Sequence, residues 1–282
     1  MRDLWQRILK RFLRDKLALL AVMVIGVYLI AGLLALFGWL APDYAKSIGE
    51  AYAPPSAAHP FGLDVLGRSV WARLTQGTRV ALIVGFTSTF IAIPLGTLLG
   101  LLSGFFRGAV DAFVVWLYST LDAVPTILLL LAMAMVLPTG KGLATVCIAL
   151  GVTSWVSTCR IVRGEVIRQK ELDYVRGARS LGAGNGRILF IHILPNVLHL
   201  VLVQASLVFV YSIKSEVILS YLGVGVQNFP SWGIMIDDAR LELVGRGVWW
   251  QFAAATAALF VLVLAFNLFN DALRDALDPK EV

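Results

Sequence analysis

Charge is what this 282-residue chain has least of. Asp, Glu, Lys and Arg make up 15% of it, where a soluble globular chain carries about 25%. Hydrophobic residues account for 59%, so too little polar surface remains to clothe a water-soluble domain of this size, and that class is excluded. Cysteine is nearly missing. Cys147 and Cys159 lie in or beside one apolar run, which supports neither a disulfide framework nor a zinc site and makes both small buried hydrophobes. His192 and His199 are separated by Pro195, one at a polar surface and one inside an apolar run, which argues against a metal. Gly-x-x-x-x-Gly-Lys-Ser/Thr is absent, so no loop of this chain cradles nucleotide phosphates. His-Glu-x-x-His and Gly-x-Ser-x-Gly are absent too, leaving an intramembrane enzyme without a metal or a nucleophile. The net charge of +6 does not imply nucleic acid, because the basic residues gather in loops between apolar runs.

What is present is a series of long apolar runs. A helix crosses a hydrocarbon core of about 30 Å with about 20 residues. Runs of that order cover Leu17–Ala41, Val80–Phe106, Ala112–Leu137, Gly142–Cys159, Val197–Leu222 and Val248–Asn270. Backbone amides in lipid must be satisfied within their own segment, so the expectation is an all-α integral membrane protein with six transmembrane helices. The third run is crossed by Asp122 and Pro125, and the last but one contains Lys214 and Glu216. With the amino terminus inside, the inward segments hold 16 basic residues and the outward ones 7, so the positive-inside rule puts both termini in the cytoplasm of a multi-pass protein. The chain then divides into 1–41, a basic segment with the first span; 42–79, an external loop; and 80–282, a five-helix core that includes a cytoplasmic loop over 160–196. The apolar run after residue 16 is too long for a cleaved signal. Residues 1–16 read as a basic amphipathic helix with Leu4, Ile8, Leu9 and Phe12 turned to lipid, or else as a solvated tail.

One internal stretch does not fit lipid: ELDYVRGARSLGAGNGRILFIHILPN, residues 171–196. Leu172, Val175, Ala178 and Leu181 recur every three residues and predict a helix over Glu171–Leu181 with one apolar face. GAGNG breaks it, since glycine reaches positive φ cheaply. A second short helix is expected from about Arg187 to Leu194, with Pro195 at the first turn of the next span. The positive-inside rule explains the arginines. It does not explain the order of helix, hinge, helix and proline, for which a docking surface is the better account.

Residues 176–195 resemble the cytoplasmic EAA loop of the permease subunits of ABC importers, whose pattern is Glu-Ala-Ala, three residues, Gly, nine residues, Ile-x-Leu-Pro. Arg176, Gly177 and Ala178 occupy the first positions, Gly182 the hinge, and His192, Ile193, Leu194 and Pro195 the end. Arg176, Gly177 and His192 depart from the family's usual residues. YVRGARSLGA and HILPN are similar to the dipeptide and oligopeptide variant. RFLRDKLALL, HPFGLDVLGRSVWARLTQGTRVAL, SEVILSYLGVGVQNFPSWGIMI and FNLFNDALRDALDPK resemble, in the same order, further segments of the C-type permeases of peptide importers, with Asn270 where glycine is usual. The resemblance implies the type I ABC-importer permease fold in a bacterial inner membrane. It further implies that Tyr174, Arg176, Gly177, Ala178, Arg179, Gly182, His192, Leu194 and Pro195 belong to a lever moved by separate ATPases. This chain would hold no cofactor, ATP and magnesium being bound by those partners. The implied partners are a homologous second permease, two P-loop ATPase subunits, a periplasmic or lipid-anchored substrate-binding protein and membrane lipid. Importers of dipeptides, longer peptides, nickel chelates and some glycosides share this permease type, so the substrate stays open among them.

Ionisable groups at membrane depth are functional candidates. Asp122 either lines the substrate path or accepts hydrogen bonds from hydroxyls or backbone freed by Pro125. Lys214 and Glu216 stand about 200° apart around a helix and cannot pair along it. Lys214 snorkels outward if the span ends near Ile213; if the helix continues to Leu222, Lys214 needs a partner or a wet cavity. An ion-coupled secondary transporter using Asp122, Lys214 or Glu216 would need an internal repeat with broken helices, and none is evident. Trp232, Trp249 and Trp250 read as interfacial anchors.

Overall fold

The computed structural model describes residues 15–136 and 142–277. The expected amphipathic helix over 1–16 lies almost wholly outside the described residues. Among those described, the chain is helical with no sheet, its only β pairing being isolated bridges in the loop after the first helix. The helices are α1 (Lys16–Leu36), α2 (Val70–Phe106), α3 (Gly108–Asp122), α4 (Thr126–Val136), α5 (Leu143–Thr153), α6 (Trp155–Gln169), α7 (Asp173–Ser180), α8 (Asn185–Tyr221), α9 (Trp232–Arg246) and α10 (Trp250–Leu277). Five stretches among the described residues are long and apolar enough to cross a membrane: α1, α2, α5 with α6, α8 and α10. A sixth is the pair α3–α4, bent by 89° at its break. The helix expected over Ala112–Leu137 is therefore broken among the described residues. Pro125 disfavours helix at the residue before it, and Asp122 closes α3 just ahead of that break.

Contacts divide the described residues into two compact parts, one falling within 1–85, 134–147 and 213–282 and the other within 86–133 and 148–212. In the first, Asp15 caps α1 by accepting hydrogen bonds from the N–H groups of Leu17 and Ala18, which satisfies orphan donors of the first turn. The buried face of α1 is small, Ala18, Ala21, Gly32 and Ala35. Helix α1 lies against α10, where the Tyr28 hydroxyl donates to the Ala258 carbonyl at 2.9 Å, and its Gly32 meets Leu82 of α2. Helix α2 starts at Val70, ten residues before the apolar run begins. Its opening turns carry Arg73, Thr75, Gln76 and Thr78, all buried and matched by hydrogen bonds, so hydropathy alone misses them. Trp232 corrects the interfacial-anchor expectation. It is 1% exposed, its indole N–H donates to the Leu74 carbonyl, and its ring lies so close that a Cβ on Gly77 would meet it at 2.5 Å. Trp249 is exposed, while Trp250 donates to the Leu63 carbonyl.

In the second part, α2 meets α6 through a ladder of glycines. A Cβ at Gly96 would stand 2.5 Å from the Trp155 carbonyl oxygen, one at Gly100 2.8 Å from that of Cys159, and one at Gly104 2.8 Å from that of Arg163. Both sides advance by four residues in the same direction, so two parallel backbones run in contact, as small residues allow in membrane helices. Two apolar clusters flank the ladder. Val114 of α3 joins Ala92, Trp155, Cys159 and Val208. Toward the other end, Leu101, Phe105, Val162 and Val166 meet Val175, Ile188, Leu189, Ile193 and Val197. The second cluster is the seat of the polar stretch 171–196.

Candidate functional site

The polar stretch follows α6 directly. Lys170 donates to the Phe105 carbonyl at 2.7 Å and lies over the Phe105 ring, pinning the exit of α6 to the end of α2. A side-chain chain then runs forward: the Tyr174 hydroxyl donates to Gln169 Oε1 at 2.7 Å, Gln169 Nε2 to Glu165 at 2.7 Å, and Arg168 pairs with the same carboxylate. Helix α7 has eight residues, too few to persist alone in water. It is held by Val175, 1% exposed in the second cluster, with Ala178 against its edge. Burying one valine is worth about 1.5–3 kcal/mol.

The expected apolar stripe is half realised. Leu172 is 41% and Leu181 91% exposed. A step of three in a 3.6-residue turn drifts by about 60° each time, so the ends of a four-member stripe point opposite ways. Val175 and Ala178 face inward and Leu181 outward, beside exposed Arg176 and Arg179. Arg176 lies 3.7 Å from Glu171 and 3.9 Å from Asp173, exposed pairs worth little each.

Gly182 closes α7 at φ +81°. The Ala183 N–H donates to the Ala178 carbonyl and the Gly182 N–H to that of Arg179, which is the Schellman arrangement. Of the three glycines in GAGNG, the left-handed turn requires only this one, since Gly184 has φ −69° and Gly186 lies in α8. Beyond it the structure corrects a second expectation. No separate helix ends at Leu194: the chain runs helically from Asn185 to Tyr221 with a π segment over Ile188–Ile193. A wide π turn relieves the clash between the Pro195 ring and the preceding turn and absorbs its missing N–H. His192 is half-buried and its carbonyl accepts from Asn196 Nδ2 at 2.9 Å. Leu194 is half-buried and Pro195 exposed.

The membrane-depth candidates are not brought together as one site. Asp122 pairs with Arg160, whose guanidinium also lies over the Tyr118 ring at 4.6 Å. Both carboxylate and guanidinium stay about half-exposed. Its partner is thus an arginine of α6, and not the hydroxyls or freed backbone of the packing alternative. The helix continues past Ile213 to Tyr221. Lys214 is exposed and makes no ion pair among the described residues. Glu216 is buried and accepts from the Ser220 hydroxyl at 2.6 Å. The same hydroxyl accepts from the Val226 N–H, so the pair fastens the loop after α8. Among the described residues no cluster of His, Cys, Asp or Glu is placed to hold a metal.

With this geometry in view, comparison with known proteins is decisive. Residues 96–281 match the family of binding-protein-dependent transport system inner membrane components. The chain belongs to that family. Residues 3–55 match the N-terminal transmembrane domain of oligopeptide transport permease C. The oligopeptide transport system permease protein of Bacillus subtilis is 36% identical over 99% of this chain and 90% of its own length. The glutathione transport system permease protein of Pectobacterium atrosepticum is 38% identical over 98% and 91%. The dipeptide transport system permease protein of Bacillus subtilis is 34% identical over 99% and 85%. The chain is a multi-pass inner membrane permease and not an enzyme.

Two features of the permease escaped the sequence reading. The glycine ladder was visible as a four-residue repeat, Gly96, Gly100 and Gly104, in PLGTLLGLLSGFF. The bidentate pair between Asp111 and Arg163, at 2.6 and 2.8 Å, bridges α3 and α6 across 52 positions and left no local signal.

Proposed function

We propose that this permease forms one half of the path by which an ATP-driven importer carries peptides across the bacterial inner membrane, with residues 171–195 as the handle through which separate ATPases move it. The observation that carries the reading is the loop itself. Val175 and Ala178 fasten it to the cluster at the end of α2 and α6, and Gly182 fixes its turn, while Arg176, Arg179 and Leu181 are left outward. A short helix bolted at one face and open at the other transmits displacement instead of absorbing it. Arg176 and Arg179 then face an ATPase groove, Tyr174 braces the loop through Gln169, and Gly177, His192, Leu194 and Pro195 shape the remaining contact. The relatives' names, oligopeptide, dipeptide and glutathione transport, favour a peptide cargo. ATP and magnesium belong to the partner ATPases, and a periplasmic or lipid-anchored binding protein delivers the cargo. A homologous permease completes the path, to which Asp122 and Lys214 contribute polar groups, while Glu216, buried against Ser220, holds the loop after α8. Both termini lie in the cytoplasm.

Purification of the tagged chain in mild detergent, with mass spectrometry of what stays bound, tests this reading. A second permease and P-loop ATPases are expected. Recovery of the folded chain alone, from cells that express those partners, would overturn it.

A further inference from the structure

Away from the polar stretch, a cleft of about 250 Å³ opens beside the start of α2, lined among others by Tyr44, Arg68, Arg73, Asn228, Phe229 and Asp238. Two of these residues, Arg68 and Arg73, are held by Asp64, which is wholly buried. One Asp64 oxygen accepts from the backbone N–H groups of Leu66 and Arg68, the other from Arg68 Nε and Arg73 Nη1. Four donors fill the lone-pair sites of a carboxylate, so Asp64 needs nothing more. Arg73, 4% exposed, gives its other terminal nitrogen to Asp238 at 3.1 Å. Arg68 is different. Its side chain is 21% exposed, and only its Nε is bonded among the described residues. Both terminal nitrogens are left at the cleft, the fork that a carboxylate fills bidentately. Phe229 forms an apolar wall, with the Arg79 guanidinium 4.9 Å from its ring. Arg68, Arg73 and Arg79 outnumber Asp64 and Asp238 by one charge. Glu242 behind them is 8% exposed, and burial together with Asp238 and Asp64 shifts it toward its neutral form. The volume falls below the roughly 300–1,000 Å³ of whole-ligand sites, so the cleft suits the end of a chain, one residue deep.

We infer that this cleft receives the carboxyl-terminal end of the peptide cargo, with Arg68 clasping the carboxylate and Phe229 lying against the last side chain. The inference rests on the peptide-permease reading above and puts the contact on the external side of the topology. An acidic side chain of the binding protein offers the same chemistry, and the experiment separates the two sources.

Uptake of a tripeptide and of its C-terminal amide is measured with the assembled transporter in proteoliposomes, driven by its binding protein, for wild type, Arg68→Gln and Arg68→Lys. The ratio of kcat/KM for acid over amide is expected to fall roughly tenfold or more in Arg68→Gln, the worth of a charge-assisted pair. The fall comes through KM for the acid, with the amide unchanged, and Arg68→Lys falls between. The binding protein's own preference cancels in the comparison. Where Arg68→Gln fails to assemble because Asp64 loses a partner, Arg68→Lys alone decides. An unchanged ratio, or equal loss for acid and amide as an acidic contact from the binding protein would give, overturns the inference. Wild type that carries no peptide at all would overturn the proposed peptide cargo instead.

Discussion

Replacing Gly100 by alanine tests the glycine ladder. The added Cβ would stand 2.8 Å from the Cys159 carbonyl oxygen and 2.9 Å from the Val162 Cβ. Neither atom can swing aside, so α2 and α6 must part by about 0.5–1 Å, a gap that forfeits roughly a quarter to a half of each facing dispersion contact. Overpacking of this kind costs about 1–3 kcal/mol. Alanine returns about 1 kcal/mol of helix propensity, leaving a net loss of up to about 2 kcal/mol. At about 2–4 °C per kcal/mol for a chain of this size, the unfolding temperature of the detergent-solubilised complex should drop by up to about 8 °C. Gly26→Ala in α1 is the control: a Cβ there meets nothing within 4 Å, and only the propensity gain applies. Because α6 leads straight into the polar stretch, Gly100→Ala should also raise ATP hydrolysed per peptide carried. A Gly100→Ala transporter as stable as the Gly26→Ala control would refute the backbone contact.

Three further outcomes are expected. Gly182→Val has open space around it but must hold φ +81°, a conformation costing about 1–2 kcal/mol for a residue with a Cβ; coupling should fail while membrane insertion, read by protease protection, persists, and normal uptake would remove the turn from the account. Glu242 lies outside the spans with its carboxyl held above the ordinary range, first by burial and then by Asp238 and Asp64. The folded state therefore holds that proton more tightly than the unfolded one, and stability should fall as pH rises from the ordinary carboxylate range through the raised value. Glu242→Gln should flatten that segment of the unfolding-temperature profile, and an identical slope would show that another group is responsible. Asp122→Asn frees Arg160 and should alter uptake, with Asp122→Arg/Arg160→Asp restoring it if the pair alone matters; normal uptake by Asp122→Asn at normal expression would reduce the pair to packing.

How far the sequence was legible depended on the range of the interaction that decides each feature. The apolar runs and Gly182 were readable because hydropathy and left-handed turns are local. Trp232 was misread because a tryptophan near the end of an apolar run usually anchors at the interface; here Gly77, 155 positions earlier, makes room for its ring. Residues 70–79 hid their helix because their polar side chains find partners in the loop before them, as Arg73 and Gln76 do, or within the helix itself, as Thr75 and Thr78 do. Pro195 read as a boundary, since a π turn that lets helix continue through proline leaves no sequence mark. Asp122 stood out in the sequence as a charge within an apolar run, but the sequence could not say that its partner would be Arg160.

The central claim is that residues 171–195 are gripped by the ATPase. Cys147 and Cys159 are both buried, so a single introduced thiol at Leu181→Cys, 91% exposed, can be crosslinked in membranes of cells expressing the whole transporter. The account predicts a crosslinked product containing an ATPase subunit, its yield changing with nucleotide, and none with the ATPase from Val244→Cys, 89% exposed and external in the proposed topology. Crosslinking of Leu181→Cys to the binding protein, or of Val244→Cys to the ATPase, would contradict it.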